Sequence, residues 1–297
     1  MNIVGIGANV HDTLIRLSDF PVEDTKMPVD AVVPSGGGPC ATGLVAAAQL
    51  GAKTAWLGQL SDDTAGTFLL DDFRRFGVST DFIGIKPGYS TFSATVLLNE
   101  KNGSRTCLLS RGNLPPLELN GRQLDAIAAS QILMVDGNEL NAAVAGAHYA
   151  RKHGTKVLYD AGGLYPDVEQ LLAETDMLIP SEEFALKFTG KSTAEDSARE
   201  LFKQFRPDVV VITRGSRGGI ICLENTLETY PAFDVEVVDS NGAGDVFHGA
   251  FAFAFTCGMP FMECCRFASA AAALKCTKIG ARNSAPSYEQ VRCFLKN

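Results

Sequence analysis

The chain has 297 residues, a net charge of -8 and a pI near 5.1, with 46% hydrophobic residues. That length suits one large α/β domain with an appendage, and the acidic balance without a Lys/Arg run excludes an electrostatic nucleic-acid footprint. The start, MNIVGIGANV, has no basic n-region or cleavage site, and the apolar stretch Phe247 to Phe255 is too short to span a bilayer. A soluble cytoplasmic protein with small-molecule partners is expected, binding neither nucleic acid nor membrane.

In chain order, NIVGIGA reads as a strand and Thr42 to Leu50 as a helix. TAWLGQL is then a strand and Gly66 to Phe76 a helix. Met27 to Pro34, and Ser90 to Ser110 with a KNG turn at Lys101 to Gly103, read as extended strands and a hairpin standing apart from the main sheet. The strand–helix rhythm resumes with ILMVDG, a helix over Ala142 to His153, KVLYDA, a short helix over Val168 to Thr175, MLIPS, a helix over Glu195 to Gln204, and VVVITRG. These strands are continuous apolar runs, as a parallel sheet covered on both faces requires.

GIGANV, at Gly5 to Val10, lacks the third glycine of a dinucleotide fingerprint. Asp12 should stand at or just beyond the carboxyl end of the first strand, as a ligand contact or a turn cap. PSGGGPCATG, Pro34 to Gly43, sets three glycines before a helix, for close backbone approach to a ligand or as a hinge. TRGSRGG, Thr213 to Gly219, reads as a glycine-rich hairpin or as backbone amides for a nucleotide. The eight cysteines show no metal-ligand spacing and read as reduced, mostly buried residues.

DSNGAGDVFHGAF, Asp239 to Phe251, places Gly242, Ala243 and Gly244 at the start of an apolar helix, where free N–H groups favour an anion. Asp245 then either caps its helix or accepts a hydroxyl proton beside those amides, and the spacing leaves both open. His248, one turn on, is either a packed helix residue or a catalytic one.

GGGPCATGLVAAAQLGA, TRGSRGG, VVDSNGAGDVFHGAF and RFASAAAALKCTKIGA, in this order, resemble the ribokinase (PfkB-type) carbohydrate kinases over nearly the whole chain. The GGGP, GDVFHGA and ALKCT runs are nearest a branch with sulfofructose kinase, ketohexokinase and fructokinases. The resemblance implies an α/β, ribokinase-like three-layer sandwich. It has a mostly parallel central sheet flanked by helices and a small β-sheet lid from about 13–35 and 88–112, in a single domain over 1–297. It implies an ATP-dependent sugar kinase acting on a ketose/fructose- or ribose-like carbohydrate. Asp245 would be the general base and Gly242, Ala243 and Gly244 the anion hole. Asp12, Gly37, Gly38 and Thr42 would touch the sugar, with Arg105 and Asn138 as further substrate contacts and Arg111 approaching from the lid. Thr213, Arg214, Gly215, Ser216 and Gly218 would hold ATP, with Ser269 near the adenine. Asp239 and Asn241 with Lys275, Lys278, Gly280 and Ser284 would give oxygens to a potassium-like cation, and a homodimer would form through the lid.

The chain departs from the family in two places. SEEF, Ser181 to Phe184, stands where many members carry an Asn-x-x-Glu motif that organises magnesium, with Glu182 or Glu183 as substitutes. The sulfonate-holding residue types of the sulfofructose branch do not match at Leu109 and Asn138. Two alternatives stay open: a nucleoside or sugar-phosphate kinase, with Tyr89, Phe92, Arg105 and Arg111 as the discriminating lid residues, and a catalytically idle sugar- or nucleotide-binding regulator.

Overall fold

A computed structural model describes residues 1–29, 31–99, 101 and 104–296. The amino-terminal half carries β1 (Ile3–Ile6), β2 (Val10–Leu17), β3 (Ala31–Gly37), α1 (Pro39–Gln49), β4 (Thr54–Trp56), β5 (Gln59–Ser61), α2 (Thr64–Phe76), β6 (Gly84–Lys86), β7 (Ser93–Asn99), β8 (Arg105–Ser110), α3 (Gly121–Ala128) and β9 (Ile132–Val135). The remainder carries α4 (Leu140–Lys152), β10 (Lys156–Ala161), α5 (Glu169–Leu172), β11 (Met177–Pro180), α6 (Glu182–Thr189), α7 (Ala194–Phe205), β12 (Val209–Thr213), β13 (Gly219–Cys222), β14 (Leu227–Tyr230), α8 (Ala243–Thr256), α9 (Phe261–Cys276) and α10 (Tyr288–Phe294).

The main sheet runs β14-β13-β12-β11-β10-β9-β1-β4. Its strands pair in parallel from β4 to β12, and β13 and β14 add antiparallel at one edge. Successive residues of a strand face opposite sides, so each strand feeds two cores. Ile3, Ile132, Met134, Leu158, Ile179 and Val211 pack with α1, α2, α8 and α9 on one face. Val4, Ile6, Leu133, Val135, Val157 and Ile212 pack with α3, α4 and α7 on the other. Each such side chain stabilises the fold by about 1.5–3 kcal/mol, which explains the unbroken apolar strands. No helix of the described residues is long and apolar enough to cross a membrane.

A second, four-stranded sheet runs β3-β2-β7-β8. One expectation changes here. Asp12 stands beyond the carboxyl end of β1, where the chain leaves the main sheet after Ile6 and re-forms as β2 in the small sheet, with Asp12 opposite Ser35 and Ala94. TAWLGQL is two strands, split where a side chain at Gly58 would collide with the Trp56 ring. β7 and β8 form the expected antiparallel hairpin, but Asn102 and Gly103 of its KNG turn lie outside the described residues.

The helices α1 and α8 cross at their glycines. A Cβ at Gly249 would strike the Gly43 carbonyl oxygen, so the two backbones touch there. That contact brings both helix N-termini to the carboxyl edge of the sheet.

Candidate active site

Neither of these helices has a side-chain N-cap: α1 starts at Gly38 (φ 91°) and α8 at Gly242 (φ 79°). Both positions need the left-handed region that glycine tolerates. Beyond Ala243, α8 leaves first-turn N–H groups for an anion, whereas α1 opens on Pro39 and its Cys40 and Ala41 N–H groups donate to Asp136 Oδ2 and the Ala8 carbonyl oxygen at 3.0 and 3.2 Å. The capping role for Asp245 falls away, since it sits in the first turn of α8 without capping it.

Asp245 is enclosed by other charges. Burial, then the neighbouring Asp160 and Asp136 carboxylates, push its pKa up to about 7, while His248 and Arg105 pull it down. Asp12 is raised to about 6 by burial, countered by Arg282 and reinforced by Asp245. The two acids, one on each sheet's side of the cleft, therefore feel one another. Gly37 lies so close to the Asp12 carboxylate that a Cβ would overlap it. A Cβ at Gly38 would come within 2.5 Å of the Ala8 carbonyl oxygen. Thr42 lies beside Gly242, and its buried hydroxyl has no partner among the described residues.

His248 is buried. Its Nδ1 lies 2.6 Å from the Gly244 carbonyl oxygen and 3.2 Å from Asp160 Oδ2, and its Nε2 lies 3.0 Å from the Ile179 carbonyl oxygen. It is thus a packed helix residue that also braces the turn carrying Asp245. Burial, reinforced by Asp136, lifts Asp160 to about 8.

On one side of Asp245 a cavity of about 600 Å³ is lined by Thr213, Gly215, Ser216, Gly218, Ser240, Ala243, Gly244 and Ser269, with Tyr230, Ala232, Phe233 and Phe247 as apolar wall. Gly244 opens directly onto it, with nothing within 4 Å of a Cβ built there. Amides, hydroxyls and an apolar slot suit a phosphorylated nucleotide. Arg214 is not in this wall: it turns to Glu195 on α7, 3.5 Å away.

A further cavity of about 380 Å³ lies between the sheets, lined by Asn9, Phe92, Arg111, Asn138 and Glu139. Arg111 donates to Asn138 Oδ1 at 3.3 Å and stacks over Phe92. Asn138 reaches the centre through Asp136, donating its backbone N–H and Nδ2 to Asp136 Oδ1 at 2.9 and 3.2 Å. Arg105 is exposed on β8.

The expected cation cluster gathers around Asp239. Its Oδ1 accepts from the Asn241 N–H and its Oδ2 from the Gly280 N–H, both at 2.8 Å. Lys275 Nζ donates to the Asp239 carbonyl oxygen at 2.6 Å. Ser284 Oγ donates to the Gly280 carbonyl oxygen, and Lys278 is exposed. In the SEEF segment, Glu183 pairs with Lys187 at 2.6 Å, Glu182 pairs with Arg217, and Phe184 is buried.

Three residues were missed from the sequence. Asp136 is buried and accepts from the Ala8 and Cys40 N–H groups at 2.8 and 3.0 Å, tying β1, α1 and β9 together behind the cleft. Asp160 backs His248. Both end an apolar strand, which is the signal that could have found them. Arg282 is buried in the last loop, 2.7 Å from Asp72 and 2.8 Å from Asn9, and it also donates to the Gly37 carbonyl oxygen.

A carboxylate raised toward neutrality, beside free helix-terminal amides and between a nucleotide-sized cavity and a second acid, defines a phosphoryl-transfer site on a doubly wound sheet. The profile of the pfkB family carbohydrate kinases matches residues 3–288, so the chain belongs to that family, phosphotransferases with an alcohol group as acceptor. A ribokinase of Haemophilus influenzae is 30% identical over 88% of this chain and 87% of its own. A deoxyribokinase of Salmonella typhi is 25% identical over 99% of each. The solved structure of Arabidopsis thaliana ribokinase complexed with ribose and ATP has a TM-score of 0.90 and 25% identity, covering 100% of this chain and 99% of that one. The ribokinase-like fold expected from the sequence is borne out.

Proposed function

We propose that this kinase transfers the γ-phosphoryl group of ATP to a hydroxyl of a ribose-like sugar. The observation that carries this is Asp245 in the first turn of an uncapped helix, with the nucleotide-sized cavity on one side and Asp12 with Gly37 on the other. Ribokinases and a deoxyribokinase among the full-length relatives support an aldopentose acceptor over the ketose alternative.

In this reading Asp12 accepts sugar hydroxyls and positions one of them beside Asp245. Asp245 takes the hydroxyl proton as the oxygen attacks the γ-phosphorus in line. The bond to the bridging oxygen breaks and ADP leaves. The Gly242 to Gly244 amides offset charge growing on the transferring group, and an anion-hole donor of this kind is worth about 3–4 kcal/mol. Thr213, Gly215, Ser216 and Gly218 cradle the nucleotide, and Ser269, donating to the Pro231 carbonyl oxygen at 3.2 Å, borders the base.

Among the described residues no group of three His, Cys, Asp or Glu side chains could hold a metal ion. Mg²⁺ would then come on the triphosphate, keeping phosphate and water oxygens as most of its ligands. Glu182 and Glu183, tied to Arg217 and Lys187, are ill-placed to substitute for the Asn-x-x-Glu motif. A homodimer through the small sheet is supported by its exposed Val32, Val33, Leu108 and Leu109. A sedimentation equilibrium run at micromolar concentration tests it, and a pure monomer removes it.

A coupled ADP-release screen across pentoses, ketohexoses, nucleosides and sugar phosphates tests the main reading. Ribose or deoxyribose should give the highest kcat/KM. A panel with no ADP release above background would leave the idle-regulator alternative standing.

A further inference from the structure

The oxygens that the family resemblance assigns to a potassium-like cation are those around Asp239, and the structure offers a test of whether such an ion fits. It fits poorly, because a cation of the chain is already there. Lys275 has no solvent exposure, and its Nζ lies 2.6 Å from the Asp239 main-chain oxygen and 3.5 Å from Asp239 Oδ2. The carboxylate is otherwise taken by the Asn241 and Gly280 amides. An ammonium and a potassium ion carry the same charge, are of similar size and take the same oxygen ligands. A second cation at these oxygens would meet the first at contact distance in a buried site, where like-charge repulsion is poorly screened.

We propose that the Lys275 ammonium is a built-in replacement for the monovalent cation, so that this kinase works without potassium. The placement explains what the charge does. The Val238 and Asp239 N–H groups donate to the Cys276 carbonyl oxygen at 2.8 and 3.1 Å, and Lys275 closes the same junction from the other side. The loop after α9 is thereby stapled to the turn that leads through Gly242 into the first turn of α8. Gly242 in turn packs against Ala281 of that loop, where a Cβ would come within 2.5 Å of the Ala281 Cβ. Lys275 therefore positions the amides of the anion hole and supplies a fixed positive charge behind them. It is a positioning residue, since no reacting atom touches it. The groups facing it are Asp239 and Cys276 at the junction and Asp245 from α8. Burial lowers its pKa, and these neighbours oppose that shift.

The test uses the full chain in two readouts, one of which needs no catalysis. Thermal unfolding of the apo protein is followed in KCl, NaCl and tetramethylammonium chloride at matched ionic strength, and ADP release with ATP and ribose is followed in the same three salts. The wild type should give the same Tm and rates within about twofold in all three. A potassium-specific rise in its Tm of about 2–4 °C or more would overturn the proposal, whatever the substrate. The Lys275→Met variant leaves the half-buried Asp239 without its cation, so its Tm should fall in sodium and recover selectively in potassium, with the rate following by about tenfold or more. A Lys275→Met protein that folds and is insensitive to salt identity, with wild-type activity, would also overturn it. Should that variant fail to fold, Lys275→Gln and the wild-type salt series still decide. The Tm comparison separates this proposal from the sugar-kinase reading, because a protein inactive on every sugar would still report whether potassium binds.

Discussion

The Arg282 guanidinium is buried 2.7 Å from the Asp72 carboxylate, 210 residues away in the chain. The same side chain reaches Asn9 and the Gly37 carbonyl oxygen and sits over the Phe73 ring. It thus joins α2, the loop after β1 and the end of β3 at one point beneath Asp12. Breaking a buried pair by removing one partner leaves an unpaired charge, at about 3–5 kcal/mol. Arg282→Met should lower the urea midpoint accordingly and raise the sugar KM through Gly37. The double variant Asp72→Leu/Arg282→Met should recover part of the stability.

Asp245→Asn keeps the shape and removes the proton acceptor. A general base contributes typically about 10²- to 10⁴-fold, so kcat should fall by that factor with sugar and ATP affinities nearly unchanged. Single-turnover kinetics with calorimetric titration of the sugar checks it, and a wild-type kcat in the variant would falsify the assignment.

The raised acids fix the direction of the pH dependence. Asp245 must be ionised to act, so kcat/KM should rise as pH passes through about 7. Stability runs the other way. Folded Asp12, Asp245 and Asp160 hold protons up to about 6, 7 and 8, whereas the unfolded chain releases them near 3.8. The folded state binds more protons across that window, so stability of the apo protein should fall as pH rises from about 4 to about 8. Urea midpoints at intervals across the range read this out, and Asp245→Asn should flatten the slope.

Gly244→Ala separates folding from function. A Cβ there meets nothing in the protein, and alanine is the better helix former by about 0.8–1 kcal/mol, so Tm should hold or rise. The methyl group projects into the nucleotide cavity, so ATP affinity should drop, as a fluorescent-nucleotide titration would show.

Much of the architecture is legible in the strings themselves. ILMVDG, KVLYDA and VVVITRG are too apolar to face water on either side, which implies a covered parallel sheet, and β9, β10 and β12 form where those runs stand. The glycine turns before α1 and α8 are legible for a related reason, since only glycine takes φ near +90° and +80° without strain. That Asp12 belongs to a strand of the small sheet is not legible, because periodicity cannot tell where a chain leaves one sheet for another. The division of TAWLGQL is not legible, because the Trp56 ring that lies against Gly58 shows only once the chain has folded back. Arg282 gave no signal at all: a loop arginine looks solvated until Asp72, Asn9 and Gly37 arrive from elsewhere in the chain.

Local pattern therefore determined the kind of protein this is: alternating strands and helices, a glycine turn, an acid after it, each set by backbone sterics and by which faces must avoid water. Electrostatics was left to the tertiary structure. Whether Asp245 caps a helix or holds a proton depends on Asp160, Asp136 and His248 closing round it, and whether Asp239 awaits an ion depends on where the Lys275 side chain ends. Those outcomes rest on distances between residues far apart in sequence, and the interaction of charges in a buried site changes by several kcal/mol over a few ångströms.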